Sequence, residues 1–247
     1  MTVAKGIFYG LGVGPGDPDL LTVKAYKVLQ AADVIITPTK KMGKPSIAYR
    51  IVESHITPGT DIVEMSFPMI SLSKERDTLE KQWEANADAI EAMLNEGKNV
   101  VFLTLGDPMV FSTYSYIMEY LQQRDMAIVT LSGIPSFCNL AAQINIPLTQ
   151  GEESLGVVAM TQPIEEIRAI LDAHKNIVIM KVSANNAQLA EELIARGLEN
   201  AFVLVANIGM ETQTIIRDIE TLKGKIPYLS TVLIKKDYDL SGIQSNA

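Results

Sequence analysis

The sequence predicts an α/β protein of two α/β domains, the first on a mainly parallel five-stranded sheet and the second on a mixed sheet. Three observations predict it. In the first half, short apolar and β-branched runs alternate with stretches of helical spacing, the pattern of strands joined by helical crossovers. In the second half, VLVAN and TIIRD are separated by only a few residues around Gly209, too few for a crossover, so this pair is antiparallel. A length of 247 residues suits one large domain or two small ones, and the change of pattern puts a boundary near 131–133. The expected domains are therefore 1–131 and 132–247.

The elements follow in order. Residues 6–12 form an apolar strand, and Leu20, Leu21, Lys24, Ala25, Val28 and Leu29 space a helix over 20–31. A β-branched strand covers 34–36, and Ser46, after Pro45, caps a helix over 47–54. A third strand covers 61–64. The long helix 73–96 carries Leu79, Trp83, Ala87, Ile90 and Leu94 on one stripe, which reads as core packing. Then come the strand NVVFLTL (99–105), a helix over 112–123 and a strand over 127–131. In the second half, strands are expected at 155–160, 177–181, 202–206, 214–217 and 228–235. Helices are expected at 164–173 and 186–196, the latter ended by Gly197.

Composition excludes several functions. Hydrophobic residues at 47% and charged residues at 20% fill an ordinary core. A net charge of −8 repels nucleic-acid phosphates, so no nucleic-acid partner is expected. Cys138 is the single cysteine, which forbids an internal disulfide and points to a reducing compartment. With no histidine near it in sequence, Cys138 reads as a small buried side chain. The histidines are His55 and His174, each near the end of a helical pattern, and no metal site is expected. The opening MTVAKGIFYG reads as a strand rather than a signal peptide, and no apolar run approaches the roughly 20 residues that span a bilayer. The expectation is a cytoplasmic protein without a membrane partner.

Three loops carry the function. YGLGVGPGDPD (9–19) resembles a phosphate loop, but G-x-G-x-x-G fails in either register, at Pro15 or at Asp17. Gly16-Asp17-Pro18 also lacks the Lys-Ser/Thr of a P-loop, and an anionic Asp17 repels a diphosphate. What remains is a tight turn: glycines for unusual dihedrals, Pro15 and Pro18 to fix φ, and Asp19 as N-cap. A second Gly-Asp-Pro follows the strongest strand, in LGDPMVFSTYSY (105–116), and SGIPSF (132–137) follows the next strand. Three such loops at the carboxyl edge of one parallel sheet argue for a ligand site.

At this point the sequence resembles the tetrapyrrole methyltransferases, S-adenosylmethionine-dependent enzymes of cobalamin and sirohaem synthesis. The resemblance rests on GVGPGDPDLLTVKA (12–25), LTLGDPMVFST (103–113), SGIPSF (132–137), IPLTQGEE (146–153), IVIMKVS (177–183) and YLSTVLI (228–234). Within the family, TPTKKMGKPSIA, EMSFPM, GDPMVFSTYSY and SGIPSF are similar to the branch that methylates the C(20) meso carbon of precorrin-2 or its cobalt form. The resemblance implies an active-site trough between the two domains and a homodimer. It implies S-adenosylmethionine as methyl donor and a polycarboxylate tetrapyrrole as substrate.

Carried over residue by residue, the cofactor contacts are Pro15, Leu105, Gly106, Asp107, Val110, Pro135, Ser136, Met180, Ile208, Ser230 and Thr231. Ile208 stands where the family has glycine, with Gly209 one place later. Asp107 is a candidate to stabilise the sulfonium or amino group of the donor; the alternative is a turn or N-cap aspartate. Lys40, Lys41 and Lys44, with Arg50, form the densest basic stretch and are expected to meet substrate carboxylates, the alternative being a solvated loop. Ser112 and Tyr116 complete the expected substrate contacts. Tyr114, Tyr116 and Lys181 are candidates to orient the macrocycle or relay the meso proton, against the alternatives of core tyrosine and surface lysine. Rival readings are methylation at another ring position or of uroporphyrinogen III, a diphthamide-type protein methyltransferase, and a noncatalytic nucleotide-binding module.

Overall fold

The structure is a computed structural model describing residues 4–40, 43, 46–68 and 75–242. The chain divides into two compact units, Met1–Pro135 and Ser136–Ala247.

The first unit is built on five strands: β1 (Phe8–Gly12), β2 (Val34–Thr39), β3 (Asp61–Ser66), β4 (Val100–Thr104) and β5 (Ile128–Leu131). They lie in the order β3-β2-β4-β1-β5, every pairing parallel. Both faces must then be covered, and each has its own core. Helices α1 (Val23–Gln30) and α2 (Ile47–Val52) bury Ala25, Leu29, Ala48, Ile51 and Val52 against Leu11, Ile35, Val101 and Leu103. Helices α3 (Arg76–Asn95) and α4 (Tyr114–Gln123) cover Phe8, Ile36 and Phe102. The predicted stripe of α3 is that core: Leu79, Trp83, Ala87, Ile90 and Leu94 are all buried, and Trp83 stacks on Tyr116 of α4 with ring centroids 4.0 Å apart. Each such large side chain gains about 1.5–3 kcal/mol by burial. The chain leaves β1 toward α1 on one face and leaves its neighbour β4 toward α4 on the other. The two strand ends thus form a topological switch point.

Some local expectations change. Helix α1 starts at Val23, not Leu20, because Thr22 Oγ1 accepts from Ala25 N–H and caps the helix there. Asp19 is not its N-cap; instead Asp17 Oδ1 accepts from Asp19 N–H and opens a separate 3-10 turn, Pro18–Leu20. Ser46 stands at the N-cap position of α2 without a side-chain capping bond.

The second unit carries β6 (Leu155–Ala159), β7 (Asn176–Met180), β8 (Phe202–Ala206), β9 (Thr214–Ile216) and β10 (Ser230–Lys235). Their order is β6-β7-β10-β8-β9. β6 and β7 are parallel; β10 runs antiparallel to β7 and β8, and β8 to β9, as the short link around Gly209 demands. Helices α6 (Ile164–Ala173), α7 (Asn186–Ile194) and α8 (Ile219–Lys223) cover one face. Helix α5 (Ser136–Gln143) covers the other through Leu140. Neither α5 nor α8 was expected: α5 begins inside the SGIPSF turn signature, and α8 is five residues long. Cys138 is exposed on α5, which corrects its reading as a buried side chain. Lys235 is fully buried; its ammonium donates to Pro147 O (2.7 Å) and lies 4.5 Å from the Tyr238 ring centroid. Among the described residues, no helix is long and apolar enough to cross a membrane.

A charged cluster joins α6 to α7. Glu192 is 8% exposed and accepts from Arg168 (2.8 Å) and Arg196 (2.6 Å); Arg196 also pairs with Asp172 (2.8 Å). The Arg168 hydrogen bond, then that of Arg196, holds the Glu192 carboxyl below its ordinary range against the cost of burial. A depressed carboxyl pKa contributes stability above the unfolded-state value, near 4.3, and that stability is lost as pH falls through the folded value. Glu192→Gln should therefore destabilise the protein at neutral pH by about 1–2 kcal/mol, with the gap closing in acid below about pH 4. Urea midpoints measured across pH 3–7 check it.

Candidate functional site

Three loops meet at the carboxyl edge of the first sheet, following β1, β4 and β5. Their meeting is a backbone contact. A Cβ on Gly12 would lie 2.5 Å from Gly133 N and 2.6 Å from Gly106 O; one on Gly133 would lie 2.0 Å from Gly106 O. No side chain fits at either position. The first two loops also pair directly: Gly106 N–H donates to Gly14 O (2.8 Å) and Gly14 N–H to Gly106 O (3.3 Å), with Gly14 at φ 78° and Gly106 at φ 73°.

Asp107 is buried and ties the second loop to the third. Its Oδ1 accepts from Met109 N–H (2.8 Å) and its Oδ2 from Gly133 N–H (3.1 Å). The turn-aspartate alternative is thus the arrangement found, extended across two loops. A Cβ on Gly106 would meet nothing nearer than Ile134 O (3.9 Å) and Pro135 Cα (4.0 Å), so open room beside Gly106 borders the third loop. Pro15 is buried; Leu105, Val110 and Pro135 are half-buried.

The remaining candidates of the first unit sit around this edge. Ser112 Oγ accepts from Tyr114 N–H (3.1 Å) at the start of α4. Tyr116 is engaged with Trp83. Tyr114 is fully buried: its ring fills the place of a side chain on Gly10, where a Cβ would lie 2.1 Å from it, and its hydroxyl shares a 2.7 Å hydrogen bond with Thr130 Oγ1. Burial pushes the phenol pKa up, the Thr130 bond opposing. The enclosed ring is the core-tyrosine arrangement that the sequence left as the alternative. Lys40 is exposed; Lys41 and Lys44 lie outside the described residues.

In the second unit, the candidates gather where β7 ends and β10 begins. Thr231 is in register with Met180 on β7 and with Val205 on β8. Ser136 Oγ, at the start of α5, shares a 3.2 Å hydrogen bond with Thr231 Oγ1. Ser230, buried, donates from its hydroxyl to Pro227 O (2.5 Å). Ile208 is buried in the core under α5, between Asn207 at φ 50° and Gly209 at φ 74°. Lys181 is half-buried and left-handed, at φ 54°. Gly12 and Gly133 were not singled out in the sequence, and their only signal was that each begins or sits within a glycine-bearing loop.

The family described as Tetrapyrrole (Corrin/Porphyrin) Methylases matches residues 8–223. A probable cobalt-precorrin-2 C(20)-methyltransferase of Methanocaldococcus jannaschii is 35% identical over 92% of this chain and 95% of its own. The cobalt-precorrin-2 C(20)-methyltransferase of Salmonella typhimurium is 30% identical over 95% and 98%. The crystal structure of the uroporphyrin-III C-methyltransferase of Thermus thermophilus, complexed with S-adenosylhomocysteine, shares the fold. Its TM-score is 0.66 at 21% identity, over 94% of this chain and 98% of that one.

Two outcomes follow from the geometry. Asp107→Ala and Gly133→Ala should each destabilise the protein by about 1–3 kcal/mol or more, through orphaned amides and backbone overlap. In a double-mutant cycle read by urea unfolding, the two should be non-additive, because they release the same loop. Tyr114→Phe should keep steady-state turnover while losing about 1 kcal/mol of stability with the Thr130 bond.

Proposed function

The chain belongs to the tetrapyrrole (corrin/porphyrin) methylases, and from that premise we propose that it transfers a methyl group from S-adenosylmethionine to the C(20) meso carbon of precorrin-2 or its cobalt form. The observation that carries the reading is identity of 30–35% to relatives of that name along nearly the full length of both chains. S-adenosylhomocysteine is the accompanying product. A cytoplasmic homodimer is part of the same reading.

The residues fit the donor. The open room at Gly106 and Pro135 suits a ligand approached by backbone, and the fixed, buried Asp107 carboxylate favours a cationic one. When bound, S-adenosylmethionine supplies a sulfonium methyl group already activated for displacement. In the first unit, Pro15, Leu105, Gly106, Val110 and Pro135 would line its site. The cofactor contacts that the resemblance implies in the second unit are Ser136, Met180, Ile208, Ser230 and Thr231. What the chain must add is alignment of the methyl group with the acceptor carbon, at about 3–3.5 Å, and exclusion of water. Loops locked backbone to backbone are suited to that task, because alignment fails with small displacements. Of the proton-relay candidates, Lys181 stays in the proposal; it is half-buried and directly follows β7.

Incubation with S-adenosylmethionine carrying a ¹³C-methyl group, and with precorrin-2 either metal-free or holding cobalt, tests the reading. The expected product carries one added methyl group, placed at C(20) by NMR. Label at another carbon, or none in either substrate, overturns it. Lys40→Glu should raise the KM for the tetrapyrrole about 2- to 10-fold at low salt and leave the KM for S-adenosylmethionine unchanged. An unchanged tetrapyrrole KM would remove Lys40 from the substrate contacts.

A further inference from the structure

β2 is an interior strand, between β3 and β4, and its fifth residue is Pro38. Proline has no N–H to give a ladder, and within sheets it is confined to edge strands, strand starts and bulges. The pairings show what it does here. β2 keeps its register with β3 through Thr39↔Ser66, but with β4 only through Ile36↔Phe102. β4 meanwhile stays with β1 through Gly12↔Thr104. The sheet therefore parts between β2 and β4 at its carboxyl edge.

The backbone groups along the parting follow from the ladder. Every second residue of a parallel strand bonds to the same neighbour. Val34 N–H donates to Asn99 O (3.2 Å), so the even-numbered residues of β2, Pro38 included, turn to β4. Val13 N–H donates to Thr104 O (2.9 Å), so Thr104 turns to β1, and Leu103 and Leu105 turn to β2. A continued ladder would run from an N–H at position 38 to Leu103 O, and from Leu105 N–H to Pro38 O. The first bond has no donor. The second is not formed: among the described residues, Leu105 N–H has no acceptor. Two carbonyls and one amide thus border the parting, just before Gly106. Leu103 is fully buried, and Pro38 and Leu105 are half-buried, where backbone groups need partners. The parting is also held. Met65 and Phe67 are buried, Phe67 packs edge-on against Phe102 with centroids 5.4 Å apart, and Ser66 O accepts from Asn86 Nδ2 (3.0 Å). These contacts fix the end of the β2–β3 pair.

We propose that this parting seats the amino-acid end of S-adenosylmethionine, the ammonium on Leu103 O and Pro38 O and the carboxylate on Leu105 N–H. An α-amino acid carries three N–H donors beside a strong acceptor, the complement of two carbonyls and an amide. The proposal deepens the reading of the chain as a tetrapyrrole methylase and rests on it.

Amide hydrogen exchange, read residue by residue by NMR, tests it. The ligands are S-adenosylhomocysteine and 5′-methylthioadenosine, which lacks the amino-acid end. The Gly106 amide, already bonded to Gly14 O, is the internal reference. At saturation, S-adenosylhomocysteine should slow Leu105 exchange roughly 10-fold more than methylthioadenosine does, and calorimetry should show it binding about 10- to 100-fold more tightly. Pro38→Val restores the missing donor. In that variant the amide at position 38 should become protected, and the melting temperature should equal or exceed the parent's. Its preference for S-adenosylhomocysteine should shrink to less than about 3-fold. Equal slowing of Leu105 by both ligands, or equal affinity for both, overturns the seat alone. So does a Pro38→Val protein that keeps the parent's preference with position 38 protected. An unprotected amide at position 38 overturns it too, because proline is then not what parts the strands. Failure of the parent protein to bind either ligand overturns the family-based reading as well.

Discussion

The first unit depends on three stretches of backbone sharing a space that admits no side chain. The loops after β1, β4 and β5 touch through Gly12, Gly106 and Gly133, closely enough that one methyl group would separate them. The strands that deliver them are adjacent and parallel, so the approach is set by the sheet; the glycines only permit it. Asp107 then converts proximity into a fixed geometry by accepting one amide from its own loop and one from the next. A buried carboxylate engaged in this way is costly to leave half-satisfied, so Asp107 ties the second loop to the third.

The two units solve the covering of their sheets differently. In the first, all-parallel pairing forces helices onto both faces, and the split between α1 and α4 opens the sheet edge where the loops meet. In the second, antiparallel β10 runs between β7 and β8 and brings its first residues, Ser230 and Thr231, beside the last residues of both neighbours. Small hydroxyl side chains are buried there without strain because each has a partner close by.

Much of this was legible in the sequence, and the exceptions have physical causes. The stripe of α3, the parallel alternation and the antiparallel pair around Gly209 are periodicity and link-length signals, which are local. The reason Gly12 must be glycine was not legible, because its neighbour Gly133 is distant in sequence. Asp107 was noticed for its charge, whereas its hydrogen bonds depend on the same distant loop. Tyr114 drew attention by following a Gly-Asp-Pro motif; only the space left by Gly10 on β1 reveals why a ring belongs there. Asp19 lost the capping role to Thr22 because residues 18–20 form a separate 3-10 turn opened by Asp17, so α1 begins after Thr22.

Cys138 has a practical use. It is the chain's only sulfhydryl, and it is exposed on α5, two residues from the Ser136 that bonds to Thr231. Desolvation lifts its thiol above the ordinary range, so it ionises late and reacts slowly at neutral pH. The native protein thus offers one attachment point for a maleimide dye or a spin label, with no background sites to remove. A probe there would sit within two residues of the hydroxyl pair at the head of β10, giving an optical or paramagnetic view of that neighbourhood in an otherwise unaltered chain.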